Sequence, residues 1–237
     1  MQGRPETRLA TPHRFGGLTG FLMAYRTILF DLDGTLVDAF TTLHRAYQHT
    51  LPQFGRPEPT MQQVRDVIGG GGVSAMAHFL PDDLVPAALA VHVAYTKTIL
   101  LEDVKAMPGA LELLQYAHAR GATLAVYTNK GGEMSRPICD HLGFTPFLTA
   151  NYGVGDTPWI KPQPELAAHV LGELKAEPAA TLLIGDSTFD IESAHNGGFA
   201  CWCVTTGTHT EAELVAAQAD RVLPDLAAVQ AALVTEL

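Results

Sequence analysis

Apolar residues follow two rhythms along this chain, and the change between them divides it. Thr27-Ile28-Leu29-Phe30 is a short apolar run of the length and β-branched character of a buried strand, and it ends in Asp31-Leu32-Asp33 before breaking at Gly34. After Asp38 the spacing turns helical. Leu43, Ala46, Tyr47 and Leu51 fall on one helix face, and Leu84, Ala88, Leu89, His92, Tyr95 and Ile99 on another, with no convincing strand between. The intervening Val67-Ile68-Gly69-Gly70-Gly71-Gly72-Val73 predicts a loop, since four consecutive glycines are too flexible to sit inside a regular element.

From Pro108 onward strand and helix alternate. Residues 110–120 read as a helix closed by Gly121, and 122–127 as a buried strand. Further strands are predicted at 147–149, 181–185, 200–204 and 221–223, with helices near 132–142, 164–173, 188–196, 210–218 and 224–235. Such alternation predicts an α/β fold, doubly wound, with a mostly parallel sheet covered on both faces. The strand at 27–30 belongs to that sheet. The helical stretch then becomes an insertion, which divides the chain into a core of 23–40 plus 106–237 and a helical cap of 41–105. Residues 1–22 carry neither period and are expected to be a disordered extension, with Met23 a second candidate for the natural start.

Composition narrows the partners. At 237 residues and 47% hydrophobic content the chain can bury a full core. A formal net charge of −10 opposes nucleic-acid and anionic-membrane contact, and no run approaches a membrane span. Three cysteines, Cys139, Cys201 and Cys203, form no paired framework and suit a reducing compartment, so the cytoplasm is the expected location. Cys201 and Cys203 lie on one strand face and are expected to be core residues. His44 and His92, on cap helix faces, are expected to be packed residues rather than ligands.

In an open parallel sheet functional groups collect where strands end. Asp31 and Asp33 follow the first strand, Thr128-Asn129-Lys130 the strand ending at Tyr127, and Gly185-Asp186-Ser187-Thr188-Phe189-Asp190 the strand ending at Ile184. Lys161 sits in a proline-flanked loop. Singly, each has a plain reading as a turn, helix cap or surface residue. In this order, and each at its place in the sheet, they supply acid, hydroxyl, amine and acid.

As a set these residues resemble the haloacid dehalogenase superfamily. Asp31 to Asp38 is similar to its first motif, Thr128 to its second, Lys161 to its third and Gly185 to Asp190 to its fourth. Thr128-Asn129-Lys130 and glycines 69–72 look most like its phosphoglycolate phosphatases. The resemblance implies Mg2+ held by Asp31, Asp186 and the backbone carbonyl of Asp33, with Asp190 supporting Lys161 or a metal-bound water. It also implies that Lys161, Thr128 and the Asn129 amide receive the phosphate. A carboxylate attacking a phosphate dianion meets a repulsion of about 8 kcal/mol at ~4 Å and an effective dielectric of ~20, so cations are required. The implied reaction is attack by Asp31 on phosphorus to give an aspartyl phosphate, with Asp33 passing the proton to the leaving alkoxide and later taking one from water. The expected substrate is a small phosphorylated metabolite such as 2-phosphoglycolate, handled by a monomer or homodimer. Gly70 and Gly71 are candidates for a loop that closes on it, a plain interhelical loop being the other reading. A sugar phosphomutase and a catalytically silent binding protein of the same fold remain alternatives.

Overall fold

The computed structural model describes residues 24–235; the expectations placed on 1–22 and on Met23 lie outside them. In chain order the elements are β1 (Thr27–Phe30), β2 (Val37–Asp38), α1 (Phe40–Thr50), α2 (Met61–Arg65), α3 (Gly71–Ala77), α4 (Val85–Ile99), β3 (Lys105–Ala106), α5 (Ala110–Ala119) and β4 (Thr123–Gly131). They continue with α6 (Gly132–His141), β5 (Ala150–Val154), α7 (Pro164–Leu174), β6 (Thr181–Gly185), α8 (Thr188–Gly197), β7 (Ala200–Val204), α9 (Glu211–Ala216), β8 (Arg221–Leu223) and α10 (Leu226–Thr235). Six strands form one sheet in the order β5-β4-β1-β6-β7-β8, every adjacent pair parallel.

Strand alternation builds two apolar layers. In register, Leu29 stands beside Ala125 and Leu183, and these three join Tyr127, Cys201 and Cys203 on one face of the sheet. Ile28 and Phe30 join Leu124, Val126, Leu182, Ile184 and Trp202 on the other. Helices α7, α8 and α9 cover the first face and α5, α6 and α10 the second, which makes the fold α/β and doubly wound. Each large aliphatic side chain removed from water contributes roughly 1.5–3 kcal/mol, so both layers hold the sheet. Cys201 and Cys203 are fully buried core residues, as expected from the strand pattern.

Between β2 and β3 the chain is helical. Leu43, Tyr47, Val64, Met76 and Leu80 from this stretch join the apolar cluster that also holds Ile28 and Phe30. Its two ends are tied together, for β2 and β3 pair antiparallel with Val37 opposite Ala106 and Asp38 opposite Lys105. No helix of the described residues is long and apolar enough to cross a membrane.

Three local expectations require correction. The strand predicted at 147–149 starts instead at Ala150, because Thr145–Phe147 forms a 3-10 turn opened by Pro146, which has no N–H to give a ladder. The strand predicted to stop at Tyr127 runs on to Gly131, with a register shift over its last residues. The glycine run is not wholly a loop either. Gly71 and Gly72 open α3, and Gly69 and Gly71 hold φ of +116° and +84°, values that favour glycine at the turn into the helix.

Candidate active site

Because β1 lies between β4 and β6, the residues leaving these three strands meet at one point on the sheet's carboxyl edge. Asp31 is anchored there by its own N–H, which donates to the Ile184 carbonyl at 2.9 Å. Its Oδ1 accepts from Lys161 Nζ at 2.8 Å, and the same ammonium donates to Asp190 Oδ1 at 2.6 Å. Asp190 is doubly engaged. Its Oδ2 accepts from the Ser187 hydroxyl at 2.6 Å and the Ser187 N–H at 3.1 Å, closing a capping box at the start of α8.

Asp186 is gripped from the opposite side. Thr35 Oγ1 donates to its Oδ1 at 3.1 Å, and the Thr208 N–H donates to its Oδ2 at 2.9 Å. Gly207 and Gly34 permit this approach, since a Cβ at either would overlap the Asp186 carboxylate. Thr35, Gly207 and Thr208 were not among the residues singled out in the sequence. Residues 205–210 follow β7, and the strand-end rule that found Asp186 also applies to them.

Asp31, Asp186 and Asp190 each offer an oxygen within 4.8 Å of the others, and all three are buried. Burial raises the pKa of Asp31, against the opposing pull of Lys161 and with the help of Asp190. Burial raises that of Asp186 further above the carboxylate range, with Asp31 and Asp190 adding to it. Burial also works against the Lys161 ammonium, but Asp190 and Asp31 outweigh it and hold the lysine charged. Three carboxylates thus face one ammonium. An all-oxygen donor set with surplus negative charge fits a hard divalent cation. Asp31 and Asp190 share the Lys161 ammonium, whereas Asp186 accepts only from the neutral donors of Thr35 and Thr208, so the charge of Asp186 is the one that a cation beside Asp31 would compensate.

The remaining sequence candidates surround a cleft of about 100 Å³ between the sheet edge and the helical stretch. Asp31, Asp33, Thr128, Asn129 and Gly71 line it, whereas Gly70 is backed by Phe189 and Ser74. Thr128 is buried, and its Oγ1 accepts from the Lys130 N–H at 3.2 Å. Asn129 behaves differently from the expectation of a free amide. Its Nδ2 donates to the carbonyls of Gly69 at 2.9 Å and Lys161 at 3.0 Å, and its Oδ1 accepts from the Lys161 N–H at 2.8 Å. The side chain therefore clamps the Lys161 loop and the glycine turn together, and its two N–H donors are not free for a phosphate.

Lys130 enters the sequence reading only within Thr128-Asn129-Lys130, with no role of its own. Its Nζ lies 2.9 and 3.2 Å from the two oxygens of Asp33, and it is buried. Leu43, Val67, Ile68, Leu89, Val93 and Met134 make the rest of the cleft largely apolar. His92 completes it. Burial, then the nearby Lys130, lowers its pKa to about 4, although the Ala46 carbonyl offsets part of the shift. Its ring packs on Tyr47 at 4.4 Å between centroids, in keeping with the expected packed residue, while Nδ1 has no partner at hydrogen-bond distance.

A parallel doubly wound sheet whose central strand ends in a buried Asp-Lys-Asp cluster defines a class. Residues 28–204 match the family model of the haloacid dehalogenase-like hydrolases, and the chain belongs to that family. Within it the chain is 32% identical over 192 residues to phosphoglycolate phosphatase 1 of Pseudomonas aeruginosa, covering 77% of this chain and 70% of that protein. It is 33% identical over 211 residues to a 5'-nucleotidase of the same organism, covering 88% and 95%. Among solved structures, a predicted phosphoglycolate phosphatase from Haemophilus somnus superimposes with a TM-score of 0.80 at 26% identity, covering 88% of this chain and 98% of that one.

Proposed function

We propose that the protein is a Mg2+-dependent phosphomonoester hydrolase that works through an aspartyl phosphate on a small phosphorylated metabolite, with 2-phosphoglycolate the leading substrate. The observation that carries this reading is Asp31: a buried carboxylate on the cleft wall, oriented by Lys161 and facing Asp186. The names of the similar phosphatases support it. Mg2+, held by Asp31, Asp186 and the Asp33 carbonyl, would supply the positive charge that lets a carboxylate approach a phosphate.

The protein's own groups perform the rest. Lys161 neutralises a further phosphate charge and is itself held rigid between Asp31 and Asp190, so little reorganisation accompanies charge transfer. Thr128 donates its hydroxyl to a phosphoryl oxygen. Asp31 Oδ attacks phosphorus and displaces the alcohol; Asp33 passes a proton to that oxygen, then takes one from the water that cleaves the acyl phosphate, a role worth about 10²- to 10⁴-fold.

The test is release of p-nitrophenol from p-nitrophenyl phosphate with Mg2+ and with a chelator, followed by a panel of esters that includes 2-phosphoglycolate and hexose phosphates. Mg2+-dependent turnover with 2-phosphoglycolate ahead of the hexose phosphates is expected. Absence of metal-dependent turnover on every ester would overturn the reading.

A further inference from the structure

We propose that Lys130 recognises a carboxylate on the leaving alcohol, so that the enzyme selects phosphate esters carrying a carboxylate on the carbon that bears the ester oxygen. This rests on the phosphatase reading above and adds to it a residue and a substrate class.

Position comes first. Lys130 stands two residues beyond Thr128 on β4, and both side chains line the cleft. Thr128 is assigned to the phosphoryl group, so Lys130 lies farther out along the same wall. Its Nζ touches both oxygens of Asp33, the group assigned to protonate the ester oxygen. The ammonium is therefore one hydrogen-bond partner away from the leaving atom. A carboxylate on the adjacent carbon stays beside that ester oxygen, where the ammonium is placed to meet it.

Donor capacity and surroundings agree. An ammonium has three N–H donors, and one carboxylate uses at most two, which leaves one for a substrate oxygen. Lys161, the other buried ammonium at the site, already serves Asp31 and Asp190. The opposite wall is apolar, and His92 is held neutral there, so it adds no second positive charge. A desolvated cation in such a wall strongly favours one negative charge over a neutral group of the same size. The alternative is that Lys130 merely neutralises Asp33. In that case its loss affects every ester equally.

A ratio separates the two. kcat/KM is measured with Mg2+ for 2-phosphoglycolate and for ethyl phosphate, which replaces the carboxylate by a methyl group, using wild type, Lys130→Met, Lys130→Gln and Lys130→Arg. Wild type is expected to prefer 2-phosphoglycolate, and Lys130→Met to lose about 10- to 100-fold of that preference whatever its effect on ethyl phosphate. Lys130→Arg is expected to keep part of it. Lys130→Gln supplies the same ratio if the methionine variant does not fold. Equal loss on both esters, or a wild type without preference, overturns the assignment of Lys130 while leaving the phosphatase intact. A wild type inert toward both esters and toward p-nitrophenyl phosphate overturns the hydrolase reading, and this proposal with it.

Discussion

The floor of the cleft and its outer wall are built on opposite principles. On the floor every charged group named is held by protein partners: Lys161 by Asp31 and Asp190, Asp186 by Thr35 and Thr208, Asp190 by Lys161 and Ser187. The wall contributed by the helical stretch is apolar, with a neutral His92 and two glycines at positive φ. Strand ends, the Lys161 loop and the first turn of α8 hold the floor through these hydrogen bonds. The wall is placed by side-chain packing and a glycine turn, which suits it to sense the leaving group. Phosphoryl chemistry is thus assigned to the floor, and substrate choice to Lys130 at the outer end of β4 together with the apolar wall.

The comparison is tested most severely on the floor. Asp31→Asn is expected to abolish turnover of p-nitrophenyl phosphate and 2-phosphoglycolate while leaving the circular dichroism spectrum intact. Its stability without metal should not fall, because the change removes a buried carboxylate whose charge is opposed by burial and by Asp190. Near-normal activity would remove Asp31 from the mechanism. Lys161→Met should damage both activity and fold. It leaves Asp31 and Asp190 without their shared cation, and urea titration should register a loss of roughly 3–5 kcal/mol, the usual cost of breaking a buried ion pair from one side.

On the wall the expected effects are smaller and of a different kind. His92 has a folded pKa of about 4 against an ordinary 6.5, so below pH 6.5 the unfolded chain takes up a proton that the folded protein refuses. Stability from this group is present above pH 6.5 and is lost as pH falls toward 4. The difference of two and a half units corresponds to about 3 kcal/mol at 1.36 kcal/mol per unit. His92→Phe should remove that part of the pH dependence between pH 7 and 4.5, and an unchanged slope would show the ring titrates normally. Smallest of all, Gly71→Ala places a Cβ at φ +84° in a space where the nearest atom is 3.7 Å away. It should cost about 1–2 kcal/mol of backbone strain and raise KM more than it lowers kcat. KM values unchanged from wild type for every ester would make the glycine turn a structural connector only.

Much of this was legible in the chain, for reasons that differ by region. The strands at 27–30, 181–185, 200–204 and 221–223 were read at their structural bounds, because an apolar run bounded by turn residues reports burial locally. Asp31, Lys161, Asp186 and Asp190 could be nominated for the site because each follows a strand or sits in a rigid loop. Local patterns misled where a neighbour decided the outcome. Pro146 delayed β5, and half of the glycine run opens α3 after a turn with Gly69 at positive φ.

By itself the sequence determined the alternation that makes a parallel sheet, the carboxylates at its strand ends and the glycines that let the chain turn there, since all of these are properties of neighbours along the backbone. Only the tertiary structure decided which distant groups pair. Strand order brings Lys130 onto Asp33 across 97 residues and Thr35 onto Asp186 across 151, and it turns the Asn129 amide from a presumed phosphate donor into a clamp on Gly69 and Lys161. A residue's own pattern reports whether it is buried; the partner that satisfies its charge or hydrogen bonds is set by sheet topology, which the local pattern does not encode.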